Sequence, residues 1–222
     1  MALLDEIKDL VVRGHINIQS KYPPDLAQKP GVEEKVKEAL DQKLDIGDIL
    51  RKGLIGGMEV VGDRFSKGEY FVPEMLFSAK AMKAGLELLR PHMVDQEAMT
   101  LGKVILGTIQ GDMHDIGKNL VGMMLEGAGF EVIDLGINTA PEKFLEVAQQ
   151  HTKALVGMSA LLTITMEKMR DVVQLFKSNG LKNKIIIGGA PVTQEFSDQI
   201  GAHGYAPDAS QAVHKAKELL GI

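Results

Sequence analysis

Apolar residues recur at helical spacing through the first ninety positions of the chain. One amphipathic run covers the amino terminus, a second covers Val32 to Lys43, a third follows Asp45, and a fourth begins at Pro73. Apolar side chains three or four positions apart share one face of a helix, and proline is favoured in a first helical turn. Three prolines interrupt the pattern over residues 17–31, which we interpret as a loop. Residues 1–92 are therefore predicted to form a four-helix bundle.

The pattern changes after residue 101, where short apolar segments alternate with amphipathic ones. The predicted strands are Val104 to Leu106, Glu131 to Leu135, Ala154 to Met158, Lys184 to Ile187, and a weak fifth around Gly204 to Ala206. A helix in every connection implies a parallel sheet that is covered on both faces. We therefore expect an α/β fold in residues 102–222, with a doubly wound, five-stranded sheet of the Rossmann-like (flavodoxin-like) type. Residues 93–101 are mostly polar and lack periodicity, so they are predicted to link the two domains.

Composition narrows the possible classes of function. The 222 residues include 25 Lys and Arg against 30 Asp and Glu, for a formal charge of −5. Such a chain lacks the basic surface that nucleic acids require. Because it has neither a long apolar run nor a signal-like amino terminus, we expect a cytoplasmic protein without a membrane partner. Cysteine is absent, so any metal must be held by histidine or carboxylate side chains or arrive within a cofactor.

A histidine at the end of the first predicted strand is the leading candidate for chemistry. His114 lies between that strand and the next helix, at the edge where open α/β sheets bind their ligands. Asp112 is two residues earlier, so its carboxylate can reach one ring nitrogen and leave the other free to bind a metal. A carboxylate in this position fixes the tautomer of the ring and raises its basicity. On spacing alone, a surface or capping histidine is the more common alternative.

The loops after the third and fourth strands should converge on the same edge of the sheet. The third loop carries Ser159, Thr163 and Thr165, and the fourth carries Gly188 and Gly189. Hydroxyl groups can bind a polar ligand, and glycines let the backbone approach a bulky group. Neither a G-x-G-x-x-G motif nor a P-loop is present, which disfavours a dinucleotide. Together these loops suit a large, partly polar cofactor with an electrophilic centre.

Three motifs in these loops resemble the cobalamin-binding signature of corrinoid proteins and of methionine synthase. They are Asp112-x-His114-x-x-Gly117, Ser159-x-Leu161 and Gly188-Gly189. The first domain adds a segment that is similar to the helical cap over the upper face of the corrin in this family. That segment reads Met58-x-x-Val61-Gly62-Asp63-Arg64-Phe65-x-x-Gly68-x-x-Phe71-Val72-Pro73. The resemblance covers nearly the whole chain.

The resemblance implies roles for individual residues. His114 would bind cobalt from below in place of the cofactor's own benzimidazole, in the base-off/His-on state. Asp112 would be its hydrogen-bonded partner, and Thr165 would complete a proton relay. Phe65 and Val72 would shield the methyl group on the opposite face. The other residues that the resemblance implies in cofactor binding are Gly111, Met113, Asp115, Gly117, Ser159, Leu161, Thr163, Gly188, Gly189 and Ala209.

The resemblance also implies a function, that of a non-catalytic subunit carrying a methyl group in a methyltransferase system. The cofactor would be cobalamin or a related corrinoid, which alternates between cob(I)alamin and methylcob(III)alamin. The implied partners are a substrate-specific methyltransferase, a second methyltransferase acting on tetrahydrofolate or coenzyme M, and a reductive activase. The alternatives are a cobalamin-binding sensor or regulatory protein, and the small subunit of an adenosylcobalamin mutase.

Other residues have more ordinary interpretations. Tyr70 and Phe71, beside the cap motif, are interpreted as core residues that could also flank the corrin. For the 17–31 loop, a solvated connector is favoured over a partner-docking element. The remaining histidines lack ligand spacing to one another and are expected at the surface: His15, His92, His151, His203 and His214.

Overall fold

A computed structural model describes residues 2–93 and 100–222. The chain forms two compact units, a helical one at the amino terminus and an α/β one. Most of the predicted linker, residues 94–99, lies outside the described residues. Within the described ranges, no helix is both long and apolar enough to cross a membrane.

Four helical runs build the amino-terminal unit, which confirms the predicted helical region. The third is continuous over residues 46–66, but its central part, Ile49–Ile55, is π-helical. The helices are α1 (Ala2–Val12), α2 (Val32–Asp41), α3 (Ile46–Asp48), α4 (Gly56–Ser66) and α5 (Val72–Leu89). Short 3₁₀ turns occur at Pro24–Leu26 and Arg90–His92.

Local chemistry explains where these helices begin and how closely they pack. The side chain of Asp45 accepts a 2.8 Å hydrogen bond from the Asp48 N–H and so caps the start of α3. A Cβ atom on Gly57 would lie 2.7 Å from the Cβ of Val11, so only glycine fits where α4 crosses α1. Burial of one apolar face of each helix then stabilises the unit.

His15 is fully buried, so the expectation that it lies at the surface was wrong. Its Nδ1 lies 2.9 Å from the carbonyl oxygen of Tyr22, and its Nε2 lies 2.9 Å from that of Lys29. The Tyr22 ring also stacks on Phe77 of α5, with ring centroids 4.0 Å apart. The 17–31 loop is thus fixed to the bundle by a histidine that precedes it.

The carboxy-terminal unit is a five-stranded parallel sheet with helices in its connections, and the predicted fold class is confirmed. The sheet order is β2-β1-β3-β4-β5. Its strands are β1 (Lys103–Thr108), β2 (Glu131–Asp134), β3 (Leu155–Ser159), β4 (Ile185–Gly188) and β5 (Gly204–Ala206). Its helices are α6 (Ile116–Gly127), α7 (Pro141–Gln150), α8 (Thr163–Met166), α9 (Lys168–Ser178), α10 (Gln194–Ile200) and α11 (Ala209–Leu220).

The strand order positions the candidate site. β1 pairs with both β2 and β3, with Val104 opposite Val132 on one side and Leu155 on the other. Its apolar residues are buried, as expected of a central strand covered on both faces. Because the chain runs from β1 to β2 and then crosses back to β3, the loops after β1 and β3 open a crevice at the carboxyl edge.

Candidate functional site

The loop after β1 folds into a tight turn that buries Asp112 and presents His114. Gly111 has a φ of +85°, a conformation that glycine adopts readily. The Asp112 N–H donates back to the Ile109 carbonyl at 3.1 Å, and the Thr108 hydroxyl donates to the His114 carbonyl at 2.9 Å. These bonds place Asp112, which is 0% exposed, directly beneath the histidine.

The two oxygens of the Asp112 carboxylate bind different loops. Oδ1 lies 2.7 Å from Nδ1 of His114, as predicted, and accepts a second bond from the His114 N–H at 3.1 Å. Oδ2 accepts from the loop after β3, at 2.7 Å from both the Leu161 N–H and the Thr165 hydroxyl and at 3.2 Å from the Leu162 N–H. One carboxylate therefore joins the segments that follow β1 and β3, on the two sides of the crevice.

Thr165 has two acceptors within reach of a single hydroxyl hydrogen. The hydroxyl oxygen lies 2.7 Å from Asp112 Oδ2 and 2.8 Å from the Leu162 carbonyl oxygen. A charged acceptor binds a donor more strongly than a neutral one. We therefore assign the hydrogen to the bond with Asp112.

These contacts determine the ionisation of Asp112 and the tautomer of His114. Burial alone would raise the pKa of Asp112, but hydrogen bonds from Thr165, Leu161 and His114 outweigh it and hold the pKa well below its usual range. A carboxylate can only accept, so Nδ1 of His114 carries the hydrogen. The lone pair of the neutral ring is then on Nε2, and the side chain is 51% exposed.

Large apolar side chains are exposed in the segments at the same edge of the sheet as the histidine. Ile116 is 81% exposed and Ile164 is 80% exposed, although such side chains are normally buried. The group, which we call the apolar rim, comprises Met113, Ile116, Ile137, Leu161, Leu162 and Ile164. All six lie in the segments that follow β1, β2 and β3 at the carboxyl edge.

Sequence reasoning identified only Met113 and Leu161 of this rim and missed the other four residues. A signal was present in Leu161-Leu162-Thr163-Ile164, because three large apolar residues follow a strand end where polar turn residues are the norm. A rim of this kind suits a large, partly apolar ligand over His114.

The glycines of the predicted site fall into two groups. A Cβ atom at Gly117 would meet nothing within 4 Å, so the surface beside His114 is open there. Gly189 has a φ of +120°, and a Cβ atom there would lie 1.8 Å from the Ala160 carbonyl oxygen. A Cβ atom at Gly188 would lie 2.7 Å from the Ala206 carbonyl oxygen. Close approach of the protein's own backbone therefore already requires glycine at positions 188 and 189.

Comparison with known proteins places this site in a family. Models of the B12 binding domain match residues 27–90 and residues 102–214. The chain is 40% identical over 226 residues to a corrinoid protein of Desulfitobacterium hafniense (strain Y51), covering all of this chain and 99% of the relative. The chain belongs to the corrinoid proteins of methyltransferase systems.

A second relative and a solved structure support this assignment of the corrinoid protein to its family. Dimethylamine corrinoid protein 2 of Methanosarcina acetivorans is 44% identical over 190 residues, covering 84% of this chain and 86% of the relative. A chain in the crystal structure of the methanol:cobalamin methyltransferase complex of Methanosarcina barkeri matches with a TM-score of 0.81 and 28% identity. That match covers 99% of this chain and 80% of the other. A corrinoid is thus the ligand class of this family.

The remaining predicted site residues of the corrinoid protein lie at the carboxyl edge of the sheet but make fewer hydrogen bonds than Asp112 does. The Ser159 carbonyl accepts from the Ile109 N–H at 3.0 Å, and Asp115 accepts from Asn119 at the start of α6. Thr163 is exposed on α8, and Ala209 is buried at the start of α11. None of these positions is bound to Asp112 or His114 by a hydrogen bond among the described residues.

The predicted cap residues belong to the helical unit. Phe65 is half-buried on α4, and Val72, the first residue of α5, is 40% exposed. Phe71 is 65% exposed, so its interpretation as a core residue was wrong. The Tyr70 hydroxyl donates to the Val12 carbonyl at 3.1 Å and is anchored in the bundle. The start of α5 therefore presents an apolar pair, Phe71 and Val72, to its surroundings.

The donor set at His114 fits a metal that arrives within a macrocycle. Among residues 2–93 and 100–222, no three His, Asp or Glu side chains cluster in a way that could hold a bare ion. His114 offers one nitrogen, and a corrin supplies four more around the cobalt. The surface at Gly117 is open and the rim side chains are exposed, which suits a macrocycle with apolar edges.

Proposed function

We propose that this corrinoid protein carries a methyl group between a substrate-specific methyltransferase and a second methyltransferase acting on tetrahydrofolate or coenzyme M. The observation that carries the proposal is the arrangement at His114, whose Nδ1 is bound to a buried carboxylate and whose side chain is half-exposed at the sheet edge that also carries the apolar rim. When bound, the cobalt of the corrinoid supplies the nucleophile that accepts and later releases the methyl group. The residues of the chain hold that metal and tune its lower face.

In this proposal His114 would be the residue that holds the cobalt, with the cofactor in the base-off/His-on state. The carboxylate of Asp112 holds Nδ1–H and so directs the Nε2 lone pair outward. The ionised carboxylate lies 2.7 Å from Nδ1 and keeps the ring in this tautomer. Thr165, 2.7 Å from the other oxygen, shares that charge through its hydroxyl.

We also propose a shielding function for apolar residues of the helical unit. Phe65 and Val72 would shield the methyl group from water, and the exposure of Phe71 adds a third candidate. Because both partner enzymes must reach the same methyl group, the proposal requires this shield to move between transfers.

A reconstitution assay tests the proposal. The purified chain would be loaded with cobalamin, reduced, and mixed with candidate methyltransferases, and methyl transfer would be followed by the visible spectrum of the corrinoid. A dimethylamine-specific enzyme is the first to try, because one relative bears that name. Enzymes for other methylamines, methanol, methoxylated aromatics and betaines follow, with tetrahydrofolate or coenzyme M and its own methyltransferase added as the acceptor.

The expected result is turnover only when the loaded chain, one donor enzyme and one acceptor enzyme are all present. Omitting any one component provides the control. If the chain retained corrinoid but none of the donor enzymes in the panel transferred a methyl group to it, the result would contradict the carrier function and favour a sensor.

A further inference from the structure

Asn138 lies in the loop after β2 and has an unusual backbone conformation. Its φ is +51°, in the left-handed region that few residues other than glycine adopt. Asparagine is among the side chains that tolerate this region best. Such a conformation persists when neighbouring contacts hold it in place.

Two hydrogen bonds from Asn138 bracket the turn that carries Asp112. The backbone N–H of Asn138 donates to the Asp112 carbonyl at 3.0 Å. Its side-chain Oδ1 accepts from the Gly111 N–H at 2.8 Å. The Gly111-Asp112 segment is therefore held from outside the β1 loop at both ends, at the Gly111 N–H and at the Asp112 carbonyl.

The loop that carries Asn138 is itself attached to the end of β1. The Thr108 N–H donates to the Gly136 carbonyl at 3.0 Å, and the Thr139 N–H donates to the Thr108 carbonyl at 2.9 Å. Ile109 and Thr139 form a further parallel bridge. Asn138 therefore occupies a fixed position that does not depend on the carboxylate network of Asp112.

We infer that Asn138 is a positioning residue for the histidine ligand, acting through the backbone of Gly111 and Asp112. The His114 ring is half-exposed, and within the described part of the chain its only hydrogen bond is the one from Nδ1 to Asp112. The ring orientation consequently depends on where the Asp112 backbone places its carboxylate. The predicted effect on corrinoid binding rests on the proposed function, whereas the predicted effect on the orientation of the His114 ring does not.

Asn138→Gly tests this inference, because glycine keeps the left-handed conformation and removes only the side-chain acceptor. The primary measurement is ¹⁵N NMR of the His114 ring in the corrinoid-free protein at about pH 8, where an ordinary imidazole is neutral. Wild type should show one tautomer with the hydrogen on Nδ1. The variant should show a mixture with the Nε2–H tautomer, and its affinity for cobalamin should fall by about 10- to 100-fold.

Two further variants separate positioning from general loss of structure. Asn138→Asp keeps an acceptor oxygen and tolerates a positive φ, so it should restore the single tautomer and bring affinity within about threefold of wild type. Asn179→Gly removes an asparagine at the end of α9, at the opposite edge of the sheet, and should change neither measurement. Thermal unfolding confirms that each variant is folded.

The outcomes are distinguishable. An unchanged tautomer in folded Asn138→Gly would overturn the inference, and so would a mixture that Asn138→Asp fails to reverse. If the tautomers respond as expected but even wild type binds no cobalamin, the inference holds and the proposed function fails.

Discussion

Asp112 accepts hydrogen bonds through both carboxylate oxygens, and each oxygen serves a different loop. A buried charge is tolerated only when its acceptor sites are satisfied. Here that requirement is met by backbone N–H groups, a threonine hydroxyl and the histidine ring. The same bonds that stabilise the charge therefore also orient His114.

Thr165→Val should destabilise the corrinoid-free protein by about 1–3 kcal/mol, because a buried carboxylate loses a hydroxyl donor while side-chain volume is kept. Urea unfolding measures the change. Thr165→Ser keeps the hydroxyl and should lose less than half as much. Equal stability of the valine and serine variants would show that the bond to Asp112 contributes little.

Gly117→Ala should separate stability from binding. The added methyl group meets no protein atom, and alanine is favoured over glycine in a helix, so the corrinoid-free protein should gain about 0.5–1 kcal/mol. If the open surface at Gly117 receives the cofactor, the same methyl group should weaken cobalamin binding several-fold. Titration of the stabilised variant with cobalamin gives the answer, and undiminished affinity would place the cofactor elsewhere.

At the scale of the elements, most of the site residues are positioned by the segments that follow the strands. Two loops depend on buried contacts that hydrophobic periodicity does not reveal. Gly188 and Gly189 were predicted to face a ligand, but neighbouring backbone explains both. His15 was expected at the surface because it lacks ligand spacing to the other histidines. Its partners in the structure are backbone carbonyls, which every residue carries and which the sequence therefore does not single out. The π-helical turns of Ile49–Ile55 likewise fit the same apolar spacing as an α-helix.

His15→Ala should lower the free energy of unfolding by about 2–4 kcal/mol, because it leaves a cavity at a fully buried position and removes the ring contacts with the Tyr22 and Lys29 carbonyl oxygens. Hydrogen exchange should increase over residues 17–31 in particular. His214→Ala, on the exposed side of α11, is the matched control and should change stability by less than about 0.5 kcal/mol. Similar effects of the two substitutions would show that His15 does not fix the loop.

For the whole molecule, the order of helices and strands could be predicted from hydrophobic spacing, since each period reflects a face that must be buried. The contact between Asp112 and His114 could also be predicted, because it is local in sequence. Contacts between distant segments could not. Of the rim residues, Ile137 lies in the loop after β2 and Ile164 lies on α8 after β3. The Asn138 bonds to the β1 loop join residues about 26 positions apart.

The central claim is that His114 is the protein ligand of a corrinoid cobalt. Its most direct test is the EPR spectrum of the cobalamin-loaded, desalted protein after reduction to Co(II). The account predicts superhyperfine splitting from one nitrogen, a change in that splitting when histidine is labelled with ¹⁵N, and its loss in His114→Ala. A spectrum without nitrogen coupling, or one that is unchanged in His114→Ala, would contradict the account.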